Sequence, residues 1–327
     1  SGDFQKNGGN QMKKVQILWA ATMSFAVLLA GCSQSGGDSD GQKVSGKLKV
    51  VATTTMITDL VRQVGGDLVE VEGMMGVGVD PHGYTAKPSD ADKLKAADVI
   101  FYNGLTLEGQ IEPMLEGMKK NKKYVYAVAD RIPKNLLLKP EEFKGHYDPH
   151  VWFDPTMWVH CLDVVVEGLS AADASHKEEY EKNGAKLRAE LLSLHEWAQG
   201  RMAGLPKDPV LVTSHDAFNY FGRAYKLEVI GLQGISTEDE ASSKSFTTLV
   251  DLIKKRGVKA VFTESSVNSR PIEQLCKDTG AAKGGELFSD AMGQPGKMEG
   301  PEGDQYDVGT YQGMIKHNVN TVVEFLK

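Results

Sequence analysis

Short apolar strand patterns alternate with helix-period segments along this chain, and such alternation folds into mostly parallel sheet covered by helices. "KLKVVATTT" reads as a buried strand, and the "MITDLVRQVGG" that follows reads as a helix ended by its glycines. The strand "VEVEGMM" leads to the helix "SDADKLKAA", with Ser89 as its expected N-cap. "DVIFYNG" leads to "LEGQIEPMLEGMKK", and "KKYVYAVA" runs toward the loop "GHYDPHVWFDP".

The rhythm breaks from Ala172 to Met202, a highly charged, proline-free stretch with apolar residues at helical spacing, where a single long helix is expected. It then resumes with "PVLVTS" and "HDAFNYFGRAY", "LEVIGLQG" and "SKSFTTLVDLIKKRG", "KAVFTES" and "RPIEQLCKDTG", then "GELFS" and a last helix near "YQGMIKHNVNTVVEFL". The expected fold class is therefore α/β, with two lobes, each a mostly parallel sheet flanked by helices, joined by one long linking helix. Residues 48–171 form the first lobe in this reading, 172–203 the linker and 204–327 the second lobe. The length of 327 residues suits two cores of roughly 100–150 residues each.

The N-terminus reads as a targeting segment. Lys13 and Lys14 precede the apolar "VQILWAATMSFAVLLAG", and "LAGC", Leu29 to Cys32, leads into a Gly/Ser tract. This is a lipoprotein signal pattern, and the apolar run is shorter than the roughly 20 residues that a membrane span needs. Residues 1–32 are accordingly expected to be an N-terminal extension and signal peptide, cut before Cys32, whose thiol would carry a diacylglycerol anchor. Residues 1–11 precede the plausible start Met12 and carry no structural signal. Residues 33–47, rich in Gly, Ser and Asp, are a flexible tether in this reading.

Charge and cysteine content exclude several classes. The 37 basic and 44 acidic residues give a net charge of -7, without the basic runs that would neutralise a phosphate backbone, so no nucleic-acid partner is expected. Cys32, Cys161 and Cys276 are far apart and form neither a zinc knuckle nor a disulfide framework.

Four side chains stand out once they are set on this scaffold. Asp80-Pro81-His82 follows the second strand and Asp148-Pro149-His150 the fourth, His215 follows "VLVTS", and Asp290 follows "ELFS". All four sit outside carboxyl ends of strands, two on each lobe, where open α/β sheets bind ligands. Neutral imidazoles with one carboxylate suit a divalent transition metal. Proline restricts itself and the residue before it, so the backbone entering each histidine loses less freedom when an ion binds. One such tripeptide alone reads as a turn with a surface histidine; two of them after strands of one lobe point to ligand loops. His215 could instead cap the next helix together with Asp216, and Asp304, Asp307 and Glu286 compete with Asp290 as the carboxylate. His160, His176, His195 and His317 fall on expected helices without ligand-like company, and His146 reads as a solvated loop residue. Asn103 and Glu264, also at strand ends, could hold a ligating imidazole by its second N–H.

The motifs "LAGC", "DPHGYTAKPSDADKL", "ADVIFYNGLTLEG", "DPHVWFDP", "TSHDAFNYF", "VFTESS" and "ELFSDAMG" occur in an order and spacing similar to those of the zinc/manganese substrate-binding lipoproteins of bacterial ABC importers. That resemblance covers nearly the whole chain after Cys32. It implies two pseudo-symmetric lobes, a rigid linking helix and one buried Zn2+ or Mn2+ as transported ligand. The family's four ligands fall on His82, His150, His215 and Asp290. It also implies an extracytoplasmic protein, lipid-anchored at Cys32 to the cell membrane, that serves an importer's membrane permease with its ATPase; a monomer is expected. Histidine as third ligand leans toward zinc or mixed use, whereas the short "RIPKNLLLKPEEFKGHYDPH", with only His146 besides His150, lacks the long His-rich loop common in zinc-dedicated members.

Enzyme classes fit less well. A metallohydrolase would keep one coordination position open for water, and four protein donors argue for a closed site. No G-x-S-x-G elbow accompanies "TSHD", and the P-loop glycine pattern is absent. A surface adhesin is the remaining alternative.

Overall fold

The computed structural model describes residues 46–121, 124–239 and 241–327. Cys32, the signal segment and nearly all of the tether expected at 33–47 lie outside the described residues.

Four parallel strands build the first lobe: β1 (Leu48–Ala52), β2 (Val69–Gly73), β3 (Val99–Tyr102) and β4 (Val125–Ala127), in the spatial order β2-β1-β3-β4. Helices α1 (Thr55–Gly65), α2 (Pro88–Ala96) and α3 (Glu112–Lys119) connect them. The second lobe repeats this topology with β5 (Val210–His215), β6 (Glu228–Gln233), β7 (Ala260–Glu264) and β8 (Ala282–Leu287), in the order β6-β5-β7-β8, and with α6 (Asn219–Tyr225), α7 (Ser243–Arg256) and α8 (Arg270–Thr279). A small antiparallel pair, β9 (Met298–Glu299) and β10 (Tyr306–Asp307), precedes the last helix, α9 (Tyr311–Leu326). The central strands β1, β3, β5 and β7 are buried almost throughout, as parallel strands covered on both faces must be, and the polar residues of β5 and β7 fall at their carboxyl ends. Matching order in the two sheets accounts for the expected pseudo-symmetry.

Two helices lie between the sheets in sequence. α4 (Pro155–Ala172) starts at Asp154, whose carboxylate accepts the Thr156 N–H at 2.9 Å, with Pro155 in the first helical position. α5 (Lys177–Met202) is the expected linking helix, but it starts five residues later than Ala172. Asp173 stands at the break: its carboxylate accepts from Ser175 Oγ at 2.6 Å, His176 Nδ1 at 2.6 Å and Tyr180 OH at 3.0 Å, and a short 3-10 turn, Ala174–His176, separates α4 from α5. His176 therefore sits in that turn and not on a helix. Ser89 is likewise not the cap of α2. Pro88 takes the first helical position and Asp90 reaches back to accept the Lys87 N–H at 2.8 Å.

Tyr180, Gly184, Leu187, Leu191, Leu194, Ala198 and Met202 are the buried face of α5, spaced by three and four residues. That face packs against α4 and α1 on one lobe and α9 and α6 on the other. A single apolar cluster consequently runs from Leu48 of β1 through Trp158 and Leu191 to Leu326 of α9. The lobes share one core, so relative motion must slide packed side chains rather than open a free hinge. Among the described residues no helix is long and apolar enough to cross a membrane.

Candidate metal centre

Strand ends deliver the candidate ligands. β2 feeds a loop that turns at Pro81 and carries His82; β4 feeds the longer loop that ends at His150; His215 is the last residue of β5; Asp290 lies three residues beyond β8. All four side chains are buried, and one ligating atom from each lies within 4.8 Å of the others. His82 Nε2 is 3.2 Å from His150 Nε2 and 3.7 Å from Asp290 Oδ2. Asp290 Oδ1 is 3.6 Å from His150 Nε2, and its Oδ2 is 3.2 Å from His215 Nε2. A tetrahedral ion with bonds of about 2.1 Å keeps its donors about 3.4 Å apart, so these separations are those of a coordination cage.

The donor atoms also lack other work. Both Asp290 oxygens and His215 Nε2 are buried without a hydrogen-bond partner. Such groups ordinarily cost about 1–3 kcal/mol each when left unsatisfied, and a cation at their centre would satisfy them together. Burial, with the nearby His150 and His215, pushes His82 down to about 3 against the attraction of Asp290. Burial also opposes charge on His215, but Glu264 and Asp290 outweigh it and raise that imidazole well above its ordinary 6.5. Asp290 shows the reverse balance: burial favours its neutral form, yet the three imidazoles, His215 foremost, hold it below the usual carboxylate range. An ion entering the cluster would compete with protons for these imidazoles.

Supporting residues fix the rings. Glu264, at the end of β7, accepts His215 Nδ1–H at 2.5 Å and the His215 backbone N–H at 2.8 Å, leaving Nε2 aimed at the cluster. Asn103 acts differently from a partner of an imidazole. Its Nδ2 donates to the carbonyls of Gly104 at 3.0 Å and Pro149 at 3.1 Å, so it holds the backbone that precedes His150. The residue that orients the His150 ring is Asp148, whose Oδ1 accepts Nδ1–H at 2.8 Å. Sequence reasoning missed it, although the tripeptide itself placed a carboxylate two residues before each histidine. Trp152 donates Nε1–H to the Ser289 carbonyl at 3.0 Å and lies edge-on to His150, which walls this side from water.

The competing residues are elsewhere. Asp304 pairs with Lys316 at 2.8 Å, Asp307 accepts the Gly296 and Gly309 N–H groups, and the Glu286 carbonyl accepts from His317. His146 is exposed and stands beside Phe143. His160 and His195 lie on α4 and α5, and His317 on α9 is occupied by Glu299 at 2.6 Å. His215 belongs to the strand and does not cap α6.

Known proteins resemble this chain in sequence and fold. A family model described as zinc-uptake complex component A, periplasmic, matches residues 50–325. The manganese-binding lipoprotein MntA of Bacillus subtilis is 41% identical over 318 residues, covering 95% of this chain and 99% of its own. The solved structure of the periplasmic zinc-binding protein TroA from Treponema pallidum superposes with a TM-score of 0.81 at 39% identity, covering 86% of this chain and 99% of that one. The laminin-binding protein of Streptococcus agalactiae, described as a bifunctional protein with adhesin and metal-transporting activity, is 25% identical with a TM-score of 0.72 and covers 86% of this chain and 100% of its own. With a matching fold, a matching sequence along nearly its whole described length and a buried histidine-carboxylate cluster between its lobes, the chain belongs to the family of periplasmic component A of the zinc-uptake complex.

Proposed function

We propose that this protein captures one divalent transition-metal ion, Zn2+ or Mn2+, outside the cytoplasm and delivers it to the membrane permease of an ABC importer, whose ATPase drives uptake. His82, His150, His215 and Asp290 are the ligands in this reading, with Glu264 and Asp148 fixing two of the imidazoles and Asn103 the approach to His150. The observation that carries it is the buried cluster itself, in which Asp290 and His215 Nε2 have no other partner. Four protein donors close the coordination shell, which favours a carrier over a metallohydrolase. Intrinsic affinity favours zinc over manganese at such an N/O site, so the choice between them in the cell depends on supply as well. Cys32 supplies the membrane anchor in this reading, and the protein works as a monomer.

Equilibrium dialysis against Zn2+ and Mn2+ in competition, followed by metal analysis, tests the proposal. Near-stoichiometric retention of one ion per chain, without hydrolytic turnover, is expected. A chain that retains no ion yet binds host surfaces would favour the adhesin reading, which the laminin-binding relative motivates. For the anchor, Cys32→Ala should leave an uncut or mislocalised precursor; normal processing and membrane retention would contradict it.

A further inference from the structure

Each Asp-Pro-His aspartate divides its carboxylate between the lobes. Asp148 Oδ1 accepts the His150 backbone N–H at 3.0 Å as well as the ring, while Oδ2 accepts Asn219 Nδ2 of α6 at 3.1 Å. Asp80 Oδ1 accepts the His82 backbone N–H at 2.9 Å, while Oδ2 accepts the Thr237 hydroxyl from the turn after β6. Both loops that bring a histidine from the first lobe are therefore tied to the second lobe through their own aspartates.

The ties differ in what backs them. Asp148 is fully buried; its carbonyl accepts Tyr220 OH at 2.9 Å, that hydroxyl accepts the Leu138 N–H at 3.0 Å, and Arg223 donates to the Leu136 carbonyl at 2.6 Å. Asp80 is half-buried, and the neighbouring cross-lobe bond, Gln110 to Glu238 at 3.1 Å, is exposed. The Thr237 turn also borders a groove of about 700 Å³, lined by Asp80, Ser242, Phe246, Ser266 and Asn268 among others, so it can shift without displacing a packed core. One tie is built into the molecule, and the other can break locally.

We propose that the Asp80–Thr237 hydrogen bond is a latch that holds the His82 loop against the second lobe, with Thr237 as a positioning residue that sets how fast the ion leaves. This rests on the ion-capture reading. Breaking the bond frees His82 while Asp148 still holds His150 and Glu264 still holds His215, so release begins with the loss of one ligand.

The test is Zn2+ release from the loaded protein into excess fluorescent chelator by stopped flow. Thr237→Val keeps shape and removes the O–H; loss of one hydrogen bond to a carboxylate should speed release about tenfold or more. Thr237→Ser, which restores the hydroxyl, should bring the rate back toward the parent's, and the metal-free melting temperature should change little in either variant. Release by Thr237→Val at the parent rate, or by Thr237→Ser as fast as by Thr237→Val, overturns the latch while leaving ion capture intact. A parent that retains no Zn2+ overturns both.

Discussion

Glu264 is a sharp place to test the centre because it touches His215 twice and no ion directly. Replacing it with Gln keeps size and one carbonyl oxygen but puts an NH2 group where the second oxygen stood. The carboxylate accepts two N–H groups, at 2.5 Å from Nδ1 and 2.8 Å from the backbone nitrogen, so one of these buried donors must lose its acceptor. That loss costs about 1–3 kcal/mol of folding stability, with or without metal. A further effect falls on binding alone: a ring no longer held in the tautomer that leaves Nε2 free binds an ion about 10–100-fold more weakly, which is about 1.4–2.7 kcal/mol. Competition titration against a chelator of known affinity reads the second effect, and thermal melts of metal-free protein read the first. If Glu264→Gln melts lower yet binds Zn2+ as tightly as the parent, Glu264 is a packing residue and the positioning argument fails.

Other expectations follow from the same geometry. His82→Ala, His150→Ala or His215→Ala should each lose most of the metal affinity and of the metal-dependent rise in melting temperature, while His176→Ala should keep both, since its ring serves Asp173. Parent-like titrations for both His82→Ala and His215→Ala would remove the site. Asp59, which accepts the Tyr311 N–H at 2.9 Å between α1 and α9, is raised by burial from 3.8 to about 6. Its folded form holds a proton more tightly than the unfolded chain, so stability falls as pH rises through this window, by up to about 3 kcal/mol. Asp59→Asn should flatten the profile between those values and raise stability at neutral pH; an unchanged profile would contradict the assignment. Because α5 packs on both lobes, small-angle scattering should give radii of gyration for metal-free and loaded protein that agree within about 1 Å, and a change of several ångströms would refute a shared rigid core.

Much of this was legible in the residues because alternating periodicity places loops as well as strands. Once β2, β4, β5 and β8 were located, the positions of His82, His150, His215 and Asp290 at their carboxyl ends followed. α4 was not legible: "PTMWVHCLDVVVEGLSAA" is buried on most of its surface, so it lacks the apolar stripe that marks a helix with one face in water. The start of α5 was misplaced because Asp173, Ser175 and His176 look like any charged helical stretch until their side chains are seen bonded to one another. Asp148 and Asp80 were read for the stiffness of the following proline, and their carboxylates went unused because hydrogen bonds to another lobe leave no periodic trace. Asn103 was expected to hold an imidazole, but the partner it chooses, the Pro149 carbonyl, depends on the tertiary approach of β3 to that loop.

The central claim is that one ion sits among three imidazoles and a carboxylate drawn from both lobes. X-ray absorption at the zinc edge of the loaded protein addresses it most directly. The account predicts a first shell of nitrogen and oxygen donors at about 2.0–2.2 Å, with outer-shell scattering from three imidazole rings that drops to two in His82→Ala. A shell containing sulfur, or an oxygen shell without imidazole scattering, would contradict it.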